Sequence, residues 1–257
     1  MNIRLKPCRF CGEVTAISSK SDAHRLLIAS ALSDRPTFIR CNARSADITA
    51  TVNCLNSLGA DIKFVDGGIS VKPIKEKRKS AVLDCNESGS TIRFLLPVAA
   101  SLGTNTEFTG GGRLPERPLS PLREQMEAHG VVFSPINVFP VKINGKMISG
   151  EFTIKGNISS QFITGLLFAL PLLNGNSIIN VIPPVESRPY IDMTLNTLKK
   201  FGITVTEKGN SFFIPGGQKY ASPGTVESEG DWSNSAFFLT AGAVSGRVTV
   251  TGLDVSS

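Results

Sequence analysis

The sequence predicts an α/β fold made of repeated units, three of them complete and a fourth begun. The first observation is a glycine that follows an apolar helix pattern and precedes a short strand pattern. It recurs 71 and then 72 residues apart, at Gly59, Gly130 and Gly202. The second is a set of residue pairs that open apolar runs 69 and 70 residues apart, at Lys20-Ser21, Gly89-Ser90 and Ser159-Ser160. Repetition at a nearly fixed interval indicates that one supersecondary unit is used several times.

In the first unit, apolar periodicity predicts helices over residues 20–32 and 45–58. Residues 61–64 and 69–71 show the polar and apolar alternation of hairpin strands. The Asp66-Gly67-Gly68 segment between them is typical of a hairpin turn. The unit is therefore predicted as helix, strand, helix and two-stranded hairpin.

The second unit repeats this order. Residues 90–102 have an apolar helix pattern, and residues 118–128 have an amphipathic one. Pro118 stands at the predicted start of that helix, where its missing N–H is harmless. Residues 131–133 and 138–143 are the predicted strands of the hairpin.

The third unit has predicted helices at residues 160–172 and 189–200, and a hairpin of strands at 203–206 and 211–214. Residues 162–170 are apolar on all sides, and a helix of that kind must be enclosed by protein. We therefore expect each unit to bury one helix, with the starts of these helices meeting at a common point.

The fourth unit begins after residues 221–224. A strand at 225–227, a helix at 233–244 and a strand at 248–251 are predicted, and the chain ends at Ser257 before a second helix and hairpin. Without these, the apolar side of the unit lacks a partner. We expect either a longer protein or another chain to complete it.

Composition narrows the classes of function. The chain of 257 residues has a net charge of +6 and a pI of about 9.2, which suits a phosphorylated small molecule or a nucleic acid. The basic cluster at residues 72–79 contains no aromatic residue, which favours a solvated loop over a nucleic-acid surface. The longest apolar stretch, residues 162–173, is too short to cross a bilayer, and residues 1–6 lack the apolar core of a signal peptide. We expect a cytoplasmic protein.

The cysteines and histidines do not show metal-site spacing. There are five scattered cysteines and two histidines, and Cys8 and Cys11 form a single Cys-x-x-Cys pair. We interpret that pair as two unrelated, reduced thiols and expect no bound metal.

Candidate ligands of an anion stand at the predicted helix starts, where backbone N–H groups are unpaired and the helix dipole is positive. The first group contains Lys20, Ser21 and Arg25. Ser21 is expected to cap the helix, and Arg25 follows one turn later on the same face. Two cations and a hydroxyl suit an oxyanion, although alone the group is equally typical of a capped helix with solvated cations.

The second group contains Glu87, Gly89, Ser90 and Arg93. Gly89 lets a ligand approach the backbone closely, Ser90 is expected to cap the helix, and Arg93 follows one turn later. Arg117 stands at the predicted start of the next helix, where a guanidinium can bind phosphate or carboxylate with two parallel N–H groups. Taken singly, these are also typical of a capped helix and a surface arginine.

The third and fourth units add further polar side chains at helix starts: Ser159, Ser160, Gln161, Ser187, Tyr190 and Asp231. An acid at a helix start is usually a cap, which is the ordinary interpretation of Asp231. Among so many donors, however, its carboxylate is also the obvious proton acceptor.

In order along the chain, the segments around these residues closely resemble the 5-enolpyruvylshikimate-3-phosphate synthase family. The segments that carry the resemblance are residues 19–25, 87–93, 115–118, 159–162, 188–194 and 229–231. It implies repeated βαβαββ units of the enolpyruvyl transferase fold, an inside-out α/β barrel, in two domains with the active site between them. Residues 18–221 would form the complete three-unit domain that binds shikimate 3-phosphate, and residues 1–17 and 222–257 an incomplete portion of the second domain.

That family transfers the enolpyruvyl group of phosphoenolpyruvate to the 5-hydroxyl of shikimate 3-phosphate and releases phosphate, within the shikimate pathway of aromatic amino acid and chorismate biosynthesis. The resemblance implies that shikimate 3-phosphate contacts Lys20, Ser21, Arg25, Ser159, Ser160, Gln161, Ser187, Tyr190 and Asp231. It implies that phosphoenolpyruvate contacts Lys20, Gly89, Arg117 and Gln161, with Glu87, Ser90 and Arg93 as further candidates. Asp231 and Lys20 would be catalytic, Asp231 by taking the proton of the attacking hydroxyl, and no metal or organic cofactor is implied.

The chain departs from the family pattern at three places. Ile17-Ser18 stand where Pro-Gly is usual, Glu87 where Asn is usual, and Ser90 where Thr is frequent. Family members are also longer, so we expect little or no transferase activity from this chain alone.

Three alternatives remain open. The chain could be a shikimate 3-phosphate-binding domain without catalysis. It could resemble the related UDP-N-acetylglucosamine enolpyruvyl transferase, but that enzyme's loop cysteine has no counterpart at residues 110–113. A general repeat scaffold would show no preference for phosphate esters. We expect small phosphorylated substrates as partners, a monomeric chain, and neither a nucleic-acid nor a membrane partner.

Overall fold

The computed structural model describes residues 9–135 and 138–255. Within these residues the helices are α1 (Lys20–Ala31), α2 (Ala46–Ser57), α3 (Gly89–Leu102), α4 (Leu122–Ala128), α5 (Ser160–Ala169), α6 (Arg188–Lys200) and α7 (Trp232–Ser245). The strands are β1 (Cys11–Thr15), β2 (Thr37–Arg40), β3 (Asp61–Val65), β4 (Gly68–Lys72), β5 (Ser80–Asp84), β6 (Asn105–Thr109), β7 (Val132–Ser134), β8 (Val141–Asn144), β9 (Glu151–Lys155), β10 (Ser177–Ile182), β11 (Thr206–Lys208), β12 (Ser211–Ile214), β13 (Thr225–Glu227) and β14 (Arg247–Thr251).

Three four-stranded sheets share one strand order and one pattern of directions. The orders are β13-β2-β4-β3, β5-β6-β8-β7 and β9-β10-β12-β11. In each sheet the first two strands are parallel and the other neighbours are antiparallel. The repetition seen in the sequence is therefore present in the hydrogen bonding of the sheets, in a mixed α/β fold.

The first sheet takes one strand from a distant part of the chain. Strand β13 pairs in parallel with β2, with Val226 opposite Ile39. We expected residues 225–227 in the incomplete domain, whereas their hydrogen bonds join them to the first unit. Strands β1 and β14 form a separate parallel pair, and α7 packs against β14.

Helix α7 presents apolar side chains to solvent. Phe237 is 78% exposed and Val244 is 80% exposed. Within α7, all of which the structure describes, Ser235 is the one buried residue. In contrast, nearly all residues of α1, α3 and α5 are buried.

The core contains the first helix of each of the three complete units, α1, α3 and α5. The expectation that every unit buries one helix was wrong for the fourth unit, because α7 is mostly exposed. All residues of α5 from Phe162 to Ala169 are buried, which confirms the prediction that this helix is enclosed. Helices α3 and α5 approach so closely that a Cβ atom built on Gly165 would contact the carbonyl oxygen of Arg93. This contact brings the starts of the two helices to the same side of the molecule.

Three predicted elements begin later than expected. The helix predicted from residue 118 begins at Leu122, because Arg117 and Ser120 precede prolines and such residues avoid the helical conformation. The strand predicted from residue 138 begins at Val141, since Pro140 cannot donate to a strand ladder.

The third difference is the strand predicted at residues 203–206, which runs over Thr206–Lys208 instead. Lys208 pairs with Ser211, so the turn is the two-residue segment Gly209-Asn210. The amide of Thr204 donates to Gln218 Oε1 at 2.8 Å rather than to a strand. The Gln218 side chain therefore accepts the hydrogen bond of a backbone N–H group that the alternation pattern had predicted to lie in a strand.

Candidate functional site

The starts of α1, α3 and α5 surround one cavity of about 930 Å³. The residues predicted from the sequence that line it are Lys20, Ser21, Arg25, Ser90, Arg93, Ser159, Ser160, Gln161, Ser187, Tyr190 and Asp231. Gly89, Arg117 and Glu87 are not among the residues that line it. The cavity is thus bordered by helix starts, cations and hydroxyls, which are groups that bind anions.

The start of α1 is capped by Ser19, whose hydroxyl accepts a hydrogen bond from Asp22 N at 3.3 Å. The expectation that Ser21 is the cap was therefore wrong, and Ser21 instead lies in the first turn beside the cavity. Lys20 forms an ion pair between its Nζ and Asp47 Oδ2 at 2.9 Å. Because both side chains are partly exposed, an incoming anion can compete with Asp47 for the ammonium group.

Arg25 is a buried cation at the wall of the cavity, with 2% of its surface exposed. Its guanidinium donates to Thr194 Oγ1 at 2.8 Å, to Ser21 O at 2.6 Å and to Tyr190 O at 2.9 Å. Burial lowers the pKa of Arg25 to about 10, so the group is still charged at neutral pH. These contacts fix its orientation, and its charge adds to the positive field of the helix starts.

The start of α3 is capped by Ser88, which accepts a hydrogen bond from Thr91 N at 3.2 Å. The prediction that Ser90 is the cap was wrong. The hydroxyl of Ser90 instead accepts from Gln161 Nε2 at 2.9 Å, and Arg93 Nη1 donates to Gln161 Oε1 at 2.7 Å. Gln161 therefore connects two residues of α3 at the cavity. Burial lowers the pKa of Arg93, and the neighbouring charge of Arg117 adds to this effect.

Arg117 lies directly on the backbone of Gly89. A Cβ atom on Gly89 would be 2.6 Å from Arg117 Nη1, so a side chain there would displace the guanidinium. Arg117 also borders a smaller cavity of about 230 Å³. The carboxylate of Glu87 lies against Gly112, away from the residues that line the larger cavity.

The starts of α5 and α6 supply hydroxyl groups. Ser159 caps α5 by accepting from Gln161 N at 3.3 Å. Ser187 precedes α6 with φ at 57°, a left-handed conformation that is uncommon outside glycine and occurs often at functional sites. Tyr190, in the first turn of α6, is 39% exposed and its ring lies 5.9 Å from the Arg25 guanidinium.

Asp231 joins the incomplete unit to the cavity. It is the cap of α7, as predicted, because its Oδ1 accepts from Asn234 N at 2.8 Å. Its own N donates to Ile17 O at 2.8 Å, and its Oδ2 accepts from Lys20 N at 3.4 Å. The hydrogen bonds with Ile17 and Lys20 therefore hold the carboxylate of Asp231 beside the start of α1.

The structure adds cavity residues that the sequence analysis missed, notably Asn42, Arg44 and Asn234. Arg44 stands immediately before Ser45, the cap of α2, and its guanidinium lies 4.9 Å from the Phe64 ring. The search for cations at helix starts would have found Arg44 if it had been extended to the second helix of the first unit.

Within residues 9–135 and 138–255, no group of three His, Cys, Asp or Glu side chains could hold a metal ion. Cys11 is exposed, whereas Cys8 lies outside the described residues. The helices in the described part of the chain are all too short or too polar to span a membrane.

The buried imidazole of His24 predicts a fold that is sensitive to acid. Burial lowers its pKa from 6.5 to about 3, so His24 is neutral in the folded chain at neutral pH. The unfolded chain takes up this proton below about pH 6.5, and stability is therefore lost as the pH falls from there toward about 3. Between about pH 7 and about pH 5, His24 should lower the free energy of unfolding by about 2 kcal/mol.

Urea denaturation of the chain and of His24→Asn at both pH values measures this effect. The variant should lose about 2 kcal/mol less on acidification, because it has no imidazole to protonate. An equal loss in both proteins would contradict the prediction.

Comparisons with known proteins show which family this chain is similar to. A model of the EPSP synthase (3-phosphoshikimate 1-carboxyvinyltransferase) family matches residues 6–257. The 3-phosphoshikimate 1-carboxyvinyltransferase of Brachyspira hyodysenteriae is 40% identical over 257 residues, with 99% of this chain and 60% of the relative covered. The enzyme of the same name from Clostridium acetobutylicum is 40% identical over 263 residues, with 99% and 61% covered.

A solved structure of EPSP synthase from Acinetobacter baumannii has the same fold, with a TM-score of 0.81 at 20% identity. It aligns over 96% of this chain and 57% of that chain. The chain spans about 60% of the length of the curated relatives it matches. On the family match and the identity to these relatives, the chain belongs to the EPSP synthase family.

Proposed function

We propose that this chain carries the shikimate 3-phosphate-binding part of a 3-phosphoshikimate 1-carboxyvinyltransferase. The reaction joins the 5-oxygen of shikimate 3-phosphate to C2 of phosphoenolpyruvate, breaks the bond from C2 to the phosphate oxygen, and releases phosphate. The observation that carries the proposal is that Lys20, Arg25, Gln161 and Asp231 line one cavity at converging helix starts.

Shikimate 3-phosphate is proposed to occupy the cavity between α1, α5 and α6. The proposed contacts are Lys20, Ser21, Arg25, Ser159, Ser160, Gln161, Ser187, Tyr190 and Asp231, all of which line it. Cations and helix starts suit the phosphate group, and the hydroxyl and amide groups suit the ring hydroxyls.

Phosphoenolpyruvate is proposed to bind beside the start of α3. Lys20 and Gln161 would contact it from the cavity, and Arg117 and Gly89 from the adjoining loop. The contact between Arg117 and Gly89 supports this pairing, because it places a guanidinium next to free N–H groups of a helix start. Ser90 and Arg93, which share Gln161, are further candidates, whereas Glu87 is turned toward Gly112.

Asp231 is proposed as the base that takes the proton of the 5-hydroxyl as the 5-oxygen adds to C2. A proton adds to C3 of phosphoenolpyruvate in the same addition, and C3 loses a proton again when the bond from C2 to the phosphate oxygen breaks. The carboxylate lies beside the start of α1 and lines the same cavity as Lys20. Lys20 would stabilise the negative charge on the reacting groups. Donors that are already oriented stabilise such charge without rearranging during the reaction. We propose that no metal or organic cofactor takes part.

We propose that residues 18–221, completed by β13, form the substrate-binding domain, and that residues 1–17 and the segment after β13 belong to a second domain. We also propose a monomeric, cytoplasmic protein whose partners are small phosphorylated molecules rather than nucleic acid or membrane.

Calorimetric titration of the chain tests the proposal. Shikimate 3-phosphate should bind, whereas phosphoenolpyruvate alone should bind poorly, and turnover should be slight or absent because the chain lacks part of the length of its relatives. Ordinary turnover would contradict the expectation of low activity. Binding of RNA but of neither phosphorylated molecule would contradict the proposed function itself.

A further inference from the structure

A continuous line of hydrogen bonds runs through the core from α1 to the cap of α3. His24 Nδ1 lies 2.8 Å from Thr51 Oγ1, and Thr51 Oγ1 lies 2.7 Å from Thr91 Oγ1. The Thr91 hydroxyl donates to Ser88 Oγ at 2.7 Å. All four residues are buried, and they belong to α1, α2, α3 and the residue that caps α3.

The hydrogen atoms that each group carries determine which group donates and which accepts in each of these hydrogen bonds. A hydroxyl has one hydrogen to donate, and Thr91 uses its own toward Ser88. Thr51 must therefore donate to Thr91, and His24 must donate from Nδ1 to Thr51. The His24 Nε2 atom then carries a lone pair, and it has no hydrogen-bond partner among the described residues. A neutral imidazole satisfies the whole line, whereas a protonated one would leave a buried N–H unpaired at Nε2.

The line connects two of the helix starts that face the cavity, those of α1 and α3. At one end, His24 is the neighbour of Arg25 on α1. At the other end, Ser88 holds the first turn of α3 by accepting from Thr91 N, immediately before Gly89 and Ser90. Ser90 in turn accepts from Gln161 in the cavity. The start of α3 is therefore linked to α1 by hydrogen bonds that pass through α2.

Apolar packing alone does not require these hydroxyls. Valine has nearly the shape of threonine, and a buried pair of valines would fill the same space between α2 and α3 without hydrogen-bond geometry to satisfy. Hydrogen bonds are directional. They therefore restrict the distance between two helices, and the sliding of one helix along the other, more than apolar contacts do. Buried polar groups have this role in some proteins.

We propose that Thr51 and Thr91 are positioning residues, which set the start of α3 against the start of α1 and so hold Ser90 and Gln161 where the phosphorylated substrate needs them. This inference rests on the proposed function, because it takes shikimate 3-phosphate as the substrate. Neither threonine lines the cavity, so neither contacts the substrate directly.

Three variants test the proposal in the 257-residue chain. Thr51→Val removes the hydroxyl and keeps the shape, whereas Thr51→Ser keeps the hydroxyl. Thr197→Val is the matched control, because Thr197 is also a buried helical threonine but donates to Met193 O within its own helix. The measurements are the dissociation constant for shikimate 3-phosphate by calorimetry and the exchange rates of the Gly89, Ser90 and Thr91 amides by NMR.

Thr51→Val should weaken shikimate 3-phosphate binding about 5–10-fold and speed exchange of those amides about tenfold. Thr51→Ser and Thr197→Val should each stay within about twofold of the unchanged chain. Normal affinity or normal amide exchange in Thr51→Val, or an equal loss in Thr51→Ser, would overturn the proposal. If the unchanged chain fails to bind shikimate 3-phosphate, the proposed function is wrong. Unaltered amide exchange in Thr51→Val contradicts the positioning role whichever ligand binds.

Discussion

Replacing Gly165 with alanine should destabilise the fold by about 3 kcal/mol, although alanine is the better helix former. Gly165 lies in the middle of α5, where a Cβ atom would contact the carbonyl oxygen of Arg93. The same atom would lie 3.2 Å from Pro97 Cγ and 3.3 Å from Phe94 Cα. Two of these three contacts are with the backbone of α3, which cannot move aside as a flexible side chain can. The two helices must therefore separate, and their close packing is lost.

Gly111→Ala is the control for this prediction. A Cβ atom on Gly111 would meet no atom within 4 Å, so its effect on the free energy of unfolding should be within about 0.5 kcal/mol. Urea denaturation followed by circular dichroism measures both variants. If Gly165→Ala were as stable as the unchanged chain, the close approach of α3 and α5 would be wrong. A shift in the start of α5 would also move Ser160 and Gln161, so the variant should bind shikimate 3-phosphate more weakly.

Replacing Lys20 with methionine should weaken shikimate 3-phosphate binding about 10–100-fold with little change in stability. Lys20 supplies an ammonium group at the edge of the cavity, beside the first turn of α1. Its loss would remove the proposed charge-assisted hydrogen bond to the ligand, and methionine keeps most of the apolar stem. The side chain is 48% exposed and its ion pair with Asp47 is partly solvated, so the fold depends little on it.

Lys63→Met is the matched control for Lys20→Met. Lys63 forms an ion pair with Asp61 at 3.2 Å on β3 and does not line the cavity. Both variants remove one positive charge and change the net charge equally, so a difference in affinity between them reports the position of Lys20 and not the change in net charge. Calorimetry should therefore show a large loss of affinity for Lys20→Met and almost none for Lys63→Met. Similar affinities in the two variants would show that Lys20 makes no direct contact with the ligand.

Much of the fold could be predicted because its signals are local. Apolar runs such as residues 162–170 define buried helices wherever they occur, and most predicted helix bounds agree with the structure within one or two residues. The errors in the second unit lie where proline restricts the preceding residue or lacks an N–H, at Pro121 and Pro140. The caps were misplaced by two residues at Ser21 and Ser90, because several serines compete at each helix start and hydrogen-bond geometry selects one.

The candidate site was predictable in composition but not in arrangement. Cations and hydroxyls at repeated helix starts indicated an anion site without any coordinates. The sequence could not show that Arg117 lies on Gly89 or that Glu87 turns toward Gly112. Each of these depends on a loop conformation, and loops lack the periodicity from which helices and strands are predicted.

By itself, the sequence determined the repeated α/β units, the enclosed helices α1, α3 and α5, and the presence of cations and hydroxyl groups at their starts. These follow from the spacing of apolar, glycine and polar residues along a few turns of chain. The tertiary structure alone decided that β13 joins the first sheet, that Asp231 lies beside Lys20, and that hydroxyl groups link α1, α2 and α3. The reason is that these contacts join residues distant in sequence. They contribute to stability only after the backbone has folded and brought the partners together.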